Sequence, residues 1–205
     1  MTKFRSSLDG RDESGRAVKG IIFNLLEDMA ESAGGPEAWD ELLDVAGVDG
    51  GYSALGDYPD ADLVALVAAC SRAWGRTEFD VTKSFGEFAL LGLARRYPAF
   101  FAPHSRTRDL LVSLNDVIHP EVRKLHPTAR PPLFGYRSSG DDQLTLVYRS
   151  ERQLCGFAEG MVVGASVHFG ESVTINQSMC VHTGADDCHL DITFLGARDE
   201  HVPAG

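Results

Sequence analysis

The apolar residues keep helical spacing up to Pro131-Pro132 and then change to short alternating stretches, a switch that favours folds in which helices come first and a sheet follows. Upstream, Ile21, Ile22, Leu25, Leu26 and Met29 recur at helical spacing until Gly34-Gly35-Pro36, and Pro36 opens a second helix through Leu43. Gly50, Gly51 and Gly56 mark a loop, after which Ala61 to Trp74 and Val81 to Arg95 each carry an apolar helical stripe. A further helix over Thr107 to Ile118 would bury Leu110, Leu111, Leu114, Val117 and Ile118, and Pro120 is expected to interrupt it. Downstream, Leu133 to Arg137 and Leu144 to Tyr148 alternate as strands around the hairpin chemistry of Ser138-Ser-Gly-Asp-Asp142. A helix over Glu151 to about Phe169 and strands at Ser172 to Cys180 and Cys188 to Phe194 complete the pattern. The expected class is α+β, a helical N-terminal subdomain followed by an antiparallel sheet carrying one long helix.

The 205 residues fit a single domain. Residues 1–18 are polar and aperiodic and read as a flexible extension, residues 19–196 as the domain, and residues 197–205 as a loose tail. A net charge of −11 opposes phosphate backbones and anionic headgroups, which removes nucleic acid and membrane surfaces as partners. The longest apolar runs fall far below the ~20 residues of a membrane span, and the first residues lack a signal-peptide core, so a cytoplasmic location is expected. Gly51 and Gly56 stand at phosphate-loop spacing, but Asp57 occupies the place of the required lysine. With no GxSxG, HExxH or CxxCH motif, hydrolase, zincin and covalent c-type haem chemistries find no support.

His119 closes an apolar helical stripe, beside Ile118 and one turn from Leu114 and Asn115, a position that suits a buried core histidine as well as a ligand. Twenty-nine residues later comes Tyr148-Arg-Ser-Glu-Arg152. In an extended chain Tyr148, Ser150 and Arg152 share one face, where two hydroxyls and a guanidinium converge on one carboxylate-sized target. Those are the groups that a porphyrin's propionates require if its iron sits on a nearby imidazole.

Together these residues resemble the haem nitric oxide/oxygen binding family, the sensor domain that also heads soluble guanylate cyclase. The carriers are Lys19-Gly-Ile-Ile-Phe-Asn-Leu-Leu-Glu-Asp28, Leu114-Asn-Asp-Val-Ile-His119, Arg130-Pro-Pro132 and Tyr148-x-Ser150-x-Arg152, within about residues 19 to 195. The resemblance implies haem b with His119 as the proximal iron ligand, Tyr148, Ser150 and Arg152 on the propionates, and Pro132 pressing on the porphyrin. It places Phe157 where oxygen-binding members carry a distal tyrosine, and Leu26 and Ala89 at their supporting polar positions. All three are apolar, so nitric oxide and carbon monoxide are the expected ligands rather than dioxygen. The implied output is a non-enzymatic signal to a separate histidine kinase or diguanylate cyclase.

Cys180 and Cys188 flank the turn Val181 to Asp187, with His182 and His189 beside them and Cys155 near the start of the long helix. Three thiolates and a histidine satisfy tetrahedral zinc, with His182 or His189 as the candidate fourth ligand, while buried free thiols or a redox disulfide satisfy the same pattern. Some bacterial members of the resembled family are similar here, and their histidine ligand matches Gln177 in this chain. Two rival readings follow: a zinc or thiol redox switch, and a haem-free small-molecule module akin to the related 4-vinyl reductase type domain.

Overall fold

A computed structural model describes residues 17–197. The expected extension over residues 1–16 and the tail over residues 198–205 lie outside the described residues. Ala17 and Val18 belong to a strand, however, two residues before the expected domain boundary. Ala197 likewise closes a strand and is not part of a loose tail.

Four helices build the first half: α1 (Gly20–Gly34), α2 (Ala38–Ala46), α3 (Asp60–Trp74) and α4 (Glu78–Arg96). Local chemistry sets their ends. Thr77 caps α4 by accepting a hydrogen bond from the Asp80 amide at 3.1 Å, and Gly75 closes α3 in the left-handed region at φ 62°. Two three-residue strands escaped the sequence pattern: β1 (Ala17–Lys19) pairs antiparallel with β2 (Asp57–Pro59), inside what reads as loop.

A second group follows. Helix α5 (Thr107–Ser113) runs into a π-helical segment (Leu114–Ile118) and then α6 (His119–Leu125). Pro120 therefore does not end the helical path. The His119 amide reaches back five residues to the Leu114 carbonyl, and this wider turn relieves the crowding that an α-register proline imposes on the carbonyl four residues before it.

Strands β3 (Leu133–Ser138), β4 (Gln143–Arg149), β5 (Glu171–Met179) and β6 (Cys188–Ala197) form one antiparallel sheet in the order β3-β4-β6-β5. Helix α7 (Cys155–His168) starts four residues later than the apolar pattern predicts, because residues 151 and 152 turn and Gln153 takes φ 53°. The α+β class and order of elements match the expectation.

Helix α7 joins the two halves by lying against α4 on a glycine face. A Cβ on Gly160 would stand 1.9 Å from the Lys83 carbonyl oxygen, and one on Gly86 would stand 2.2 Å from that of Phe157. The close approach lets Lys83 reach the buried Glu159, Nζ to Oε1 at 2.6 Å. Gly160→Ala is expected to force these backbones apart and destabilise the domain by about 1–3 kcal/mol, read as a lowered Tm. An unchanged melt would mean that the helices are not packed this closely.

Candidate functional site

A cavity of about 340 Å³ opens between the helical half and the sheet. Its wall is apolar, built from Ile22, Leu63, Phe85, Leu114, Phe157 and Met161 among others. His119, Pro131 and Pro132 line it as well, and Lys19, Arg130, Tyr148, Ser150 and Arg152 are among its polar residues.

His119 is 9% exposed, and its Nδ1 is buried with no hydrogen-bond partner. Burial first, and then the Arg123 charge, push its pKa down to about 4, against a weaker opposite pull from the Pro132 carbonyl. The imidazole is neutral and holds a free lone pair at neutral pH, as a metal ligand must. Because the folded pKa lies below the ordinary 6.5, protonation favours the unfolded chain. The linked stability is complete above pH 6.5 and is lost as pH falls towards 4. A Tm profile of haem-free protein should show this loss between pH 6.5 and 4, and His119→Gln should flatten it.

The helix carrying His119 is fastened to the sheet by side chains. Asn115 in the π segment donates from Nδ2 to the Phe134 carbonyl at 2.6 Å and accepts the Phe134 amide at 3.3 Å. Phe134 in turn lies between His119 and Tyr148, with ring centroids 5.8 Å from each. At the other end of the helix the Thr107 amide donates to Glu171 Oε2 at 2.7 Å, and Arg108 donates to the Gln143 carbonyl at 3.0 Å.

Tyr148, Ser150 and Arg152 come together at the cavity, but not as one face of a strand. Only Tyr148 is in β4; Ser150 follows its end and Arg152 lies in the turn. The Tyr148 hydroxyl accepts the Leu154 amide at 3.2 Å, which leaves its proton to donate. Arg152 places Nε on both Asp60 oxygens at 3.1 and 3.0 Å, Nη1 on the Arg130 carbonyl at 2.9 Å and Nη2 on the Ala17 carbonyl at 2.7 Å. Three of five guanidinium N–H groups are thus engaged, and one on each terminal nitrogen remains for a carboxylate. Asp60 escaped the sequence reading because it lies 92 residues from Arg152 and no local pattern links them.

Phe157 lines the cavity, with its ring centroid 5.1 Å from that of Phe85. Leu26 and Ala89 do not line it; both are fully buried in the helical core. The wall positions are one turn earlier on the same helices, at Ile22 and Phe85. Two hydroxyl-bearing residues stand on the helical wall. Thr82 donates to the carbonyls of Glu78 and Phe79, each at 2.9 Å, and Tyr97 is the residue that follows α4.

The thiols of Cys155, Cys180 and Cys188 all lie within 4.8 Å of one another. Burial raises the pKa of Cys155 and pushes that of Cys188 up to about 12, so these two stay protonated without a cation. His182 is not part of this group. Its Nε2 is 2.9 Å from the Gln153 carbonyl, so it does not face the thiols as it stands.

A buried neutral imidazole on an apolar cavity lined also by an arginine and hydroxyls fits a haem-binding domain of the α+β type. Residues 19–177 match the family described as haem-NO-binding, HNOB, and the chain belongs to this H-NOX family. An H-NOX protein from Shewanella oneidensis, as a triple mutant in the Fe(II) ligation state, is 34% identical; the match covers 90% of this chain and 100% of that one, with a TM-score of 0.84. The S. oneidensis protein in the Fe(II)NO ligation state is 35% identical over 87% of this chain and 100% of that one, with a TM-score of 0.83. The Fe(II) unliganded A-to-G mutant of an H-NOX protein from K. algicida is 26% identical over 86% and 96%, with a TM-score of 0.79. No curated protein sequence matches the chain.

Proposed function

We propose that this chain is a haem-based sensor that binds nitric oxide at ferrous haem on His119 and passes the event to a separate signalling protein. The observation that carries the reading is His119 itself, buried and neutral on the wall of an apolar cavity with an unpartnered ring nitrogen. The donor set fits haem b: His119 would ligate the iron, and Tyr148, Ser150 and the two free N–H groups of Arg152 would hold the propionates. When bound, haem supplies a ferrous iron that takes diatomic gases. The relatives support this choice of ligand, since the S. oneidensis structures include Fe(II)NO and Fe(II)CO ligation states.

The chain's own part is to bind, exclude water and move. Phe85, Phe157 and Met161 keep the ligand side dry, and Pro132 stands on the cavity wall where it can press on the cofactor. A change in the pull on His119 acts on the π segment, and Asn115 carries it to Phe134 on β3. β3 lies at an edge of the sheet and is a candidate route to a partner. A histidine kinase or a diguanylate cyclase is the partner class, and the role is binding rather than turnover. The thiol group reads as zinc held by Cys155, Cys180 and Cys188, a second input alongside haem. A cytoplasmic setting belongs to the same reading, since the four cysteines are free.

The test is an anaerobic titration of the haem-loaded, reduced protein with nitric oxide. The spectral change should saturate at one nitric oxide per haem. A protein that refuses haem on reconstitution would favour the haem-free module, and one that holds haem without responding to nitric oxide would remove the sensor reading.

A further inference from the structure

Three elements each bring one thiol to the same point: Cys155 opens α7, Cys180 follows β5 and Cys188 opens β6. Cys180 Sγ lies 3.8 Å from Cys155 Sγ and 3.9 Å from Cys188 Sγ. A tetrahedral zinc centre with bonds of about 2.3 Å has sulfur–sulfur edges of roughly 3.8 Å, so the three thiols already stand near three of its corners.

The fourth corner is what this chain leaves weak. His182 is exposed and turned to the Gln153 carbonyl. His189 follows Cys188 directly in β6, so it points to the opposite face of the sheet, where its Nε2 is 2.9 Å from Asp187 Oδ1. Gln177 is on the correct face. It pairs across the sheet with Leu190, two residues beyond Cys188, and paired residues project to the same side. A register shift follows at once between Gln177 and Met179. The Gln177 amide lies against the Cys155 thiol, and its Nε2 is buried without any other partner. An amide nitrogen has no lone pair to give a metal. Its oxygen is a neutral ligand outside the set of thiolate, imidazole and carboxylate that zinc prefers.

We propose that Cys155, Cys180 and Cys188 form an open zinc site, with three thiolates as the strong ligands and the corner beside Gln177 left to an exchangeable one. This rests on reading the thiols as a metal site and is independent of haem ligation. Structural zinc sites are closed by four strong ligands, and an open corner gives an incoming chelator a place to attack. The site is therefore a zinc-exchanging device at the junction of α7 and the sheet and not a permanent clamp.

The experiment follows zinc loss from the full, haem-loaded chain to excess EDTA, by elemental analysis after timed desalting. Gln177→His and Gln177→Glu each supply a strong fourth ligand and should slow the loss at least tenfold, while His182→Ala should leave the wild-type rate. Haem absorbance and the thermal melt verify that each variant is folded. Wild-type exchange as slow as that of both variants would overturn the proposal, and so would a marked acceleration by His182→Ala, which would make His182 the fourth ligand. A protein that takes up no zinc while keeping its haem spectrum would remove the metal site and leave the gas-sensor reading standing.

Discussion

Replacing His119 with glycine is expected to leave the purified protein without haem, and growth or reconstitution in imidazole is expected to restore a ferrous spectrum. The wall of the cavity otherwise offers one further imidazole, His126. His126 is the residue just after α6, whereas His119 begins that helix at the π segment fastened to β3. Truncation to glycine deletes the ring but keeps the backbone, at a helix-propensity cost of about 1 kcal/mol that an already supported helix can bear. Free imidazole can then enter the space the side chain vacates. Retention of the wild-type ferrous spectrum by the glycine variant would assign the ligand elsewhere, and His126→Gly is the control expected to keep its haem.

The ferrous protein in air is expected to form no stable oxygen complex, and Phe157→Tyr is the single substitution expected to create one. Bound dioxygen carries negative charge on its outer atom and needs a donor, whereas nitric oxide and carbon monoxide do not. Phe157 presents a ring edge or face with no hydrogen-bonding atom, and the Thr82 hydroxyl is already spoken for by the carbonyls of Glu78 and Phe79. Tyr97 is the other hydroxyl on that side of the cavity, so Tyr97→Phe serves as the control and should change nothing. A persistent oxygen spectrum in the wild type, abolished by Tyr97→Phe, would show that the chain stabilises dioxygen through a group other than position 157.

Much of this was legible in the sequence because the signals were periodic or local. The helical stripes, the hairpins and the change of period at Pro131-Pro132 all reappear in the structure. Where the reading failed, the cause was distance or rotation. Strands β1 and β2 are three residues each and meet across about forty residues of chain, so neither carries a pattern of its own. Counting along a motif pointed to Leu26 and Ala89, which are buried in the helical core, whereas Ile22 and Phe85, one turn earlier on the same helices, meet the cavity. Gln153 adopts φ 53° without being glycine, so nothing announced that Arg152 would leave the strand direction and α7 would wait until Cys155. The thiols were found from their spacing, but which neighbour faces them depends on strand pairing, and this selects Gln177 over His182.

The π-helical segment from Leu114 to Ile118 also bears on how this chain can change length. It holds one residue more than an α-helical turn would need, directly before His119, the proposed iron ligand. Losing one residue there would let the helix close into a regular register, so the fold would survive the deletion. His119, however, would swing about 100° around the helix relative to α5, away from the cavity. In descent from a common ancestor, the number of residues in this stretch is therefore a functional character in its own right. Relatives with a different residue count between α5 and the histidine have to recover the ligand's direction by some other bend.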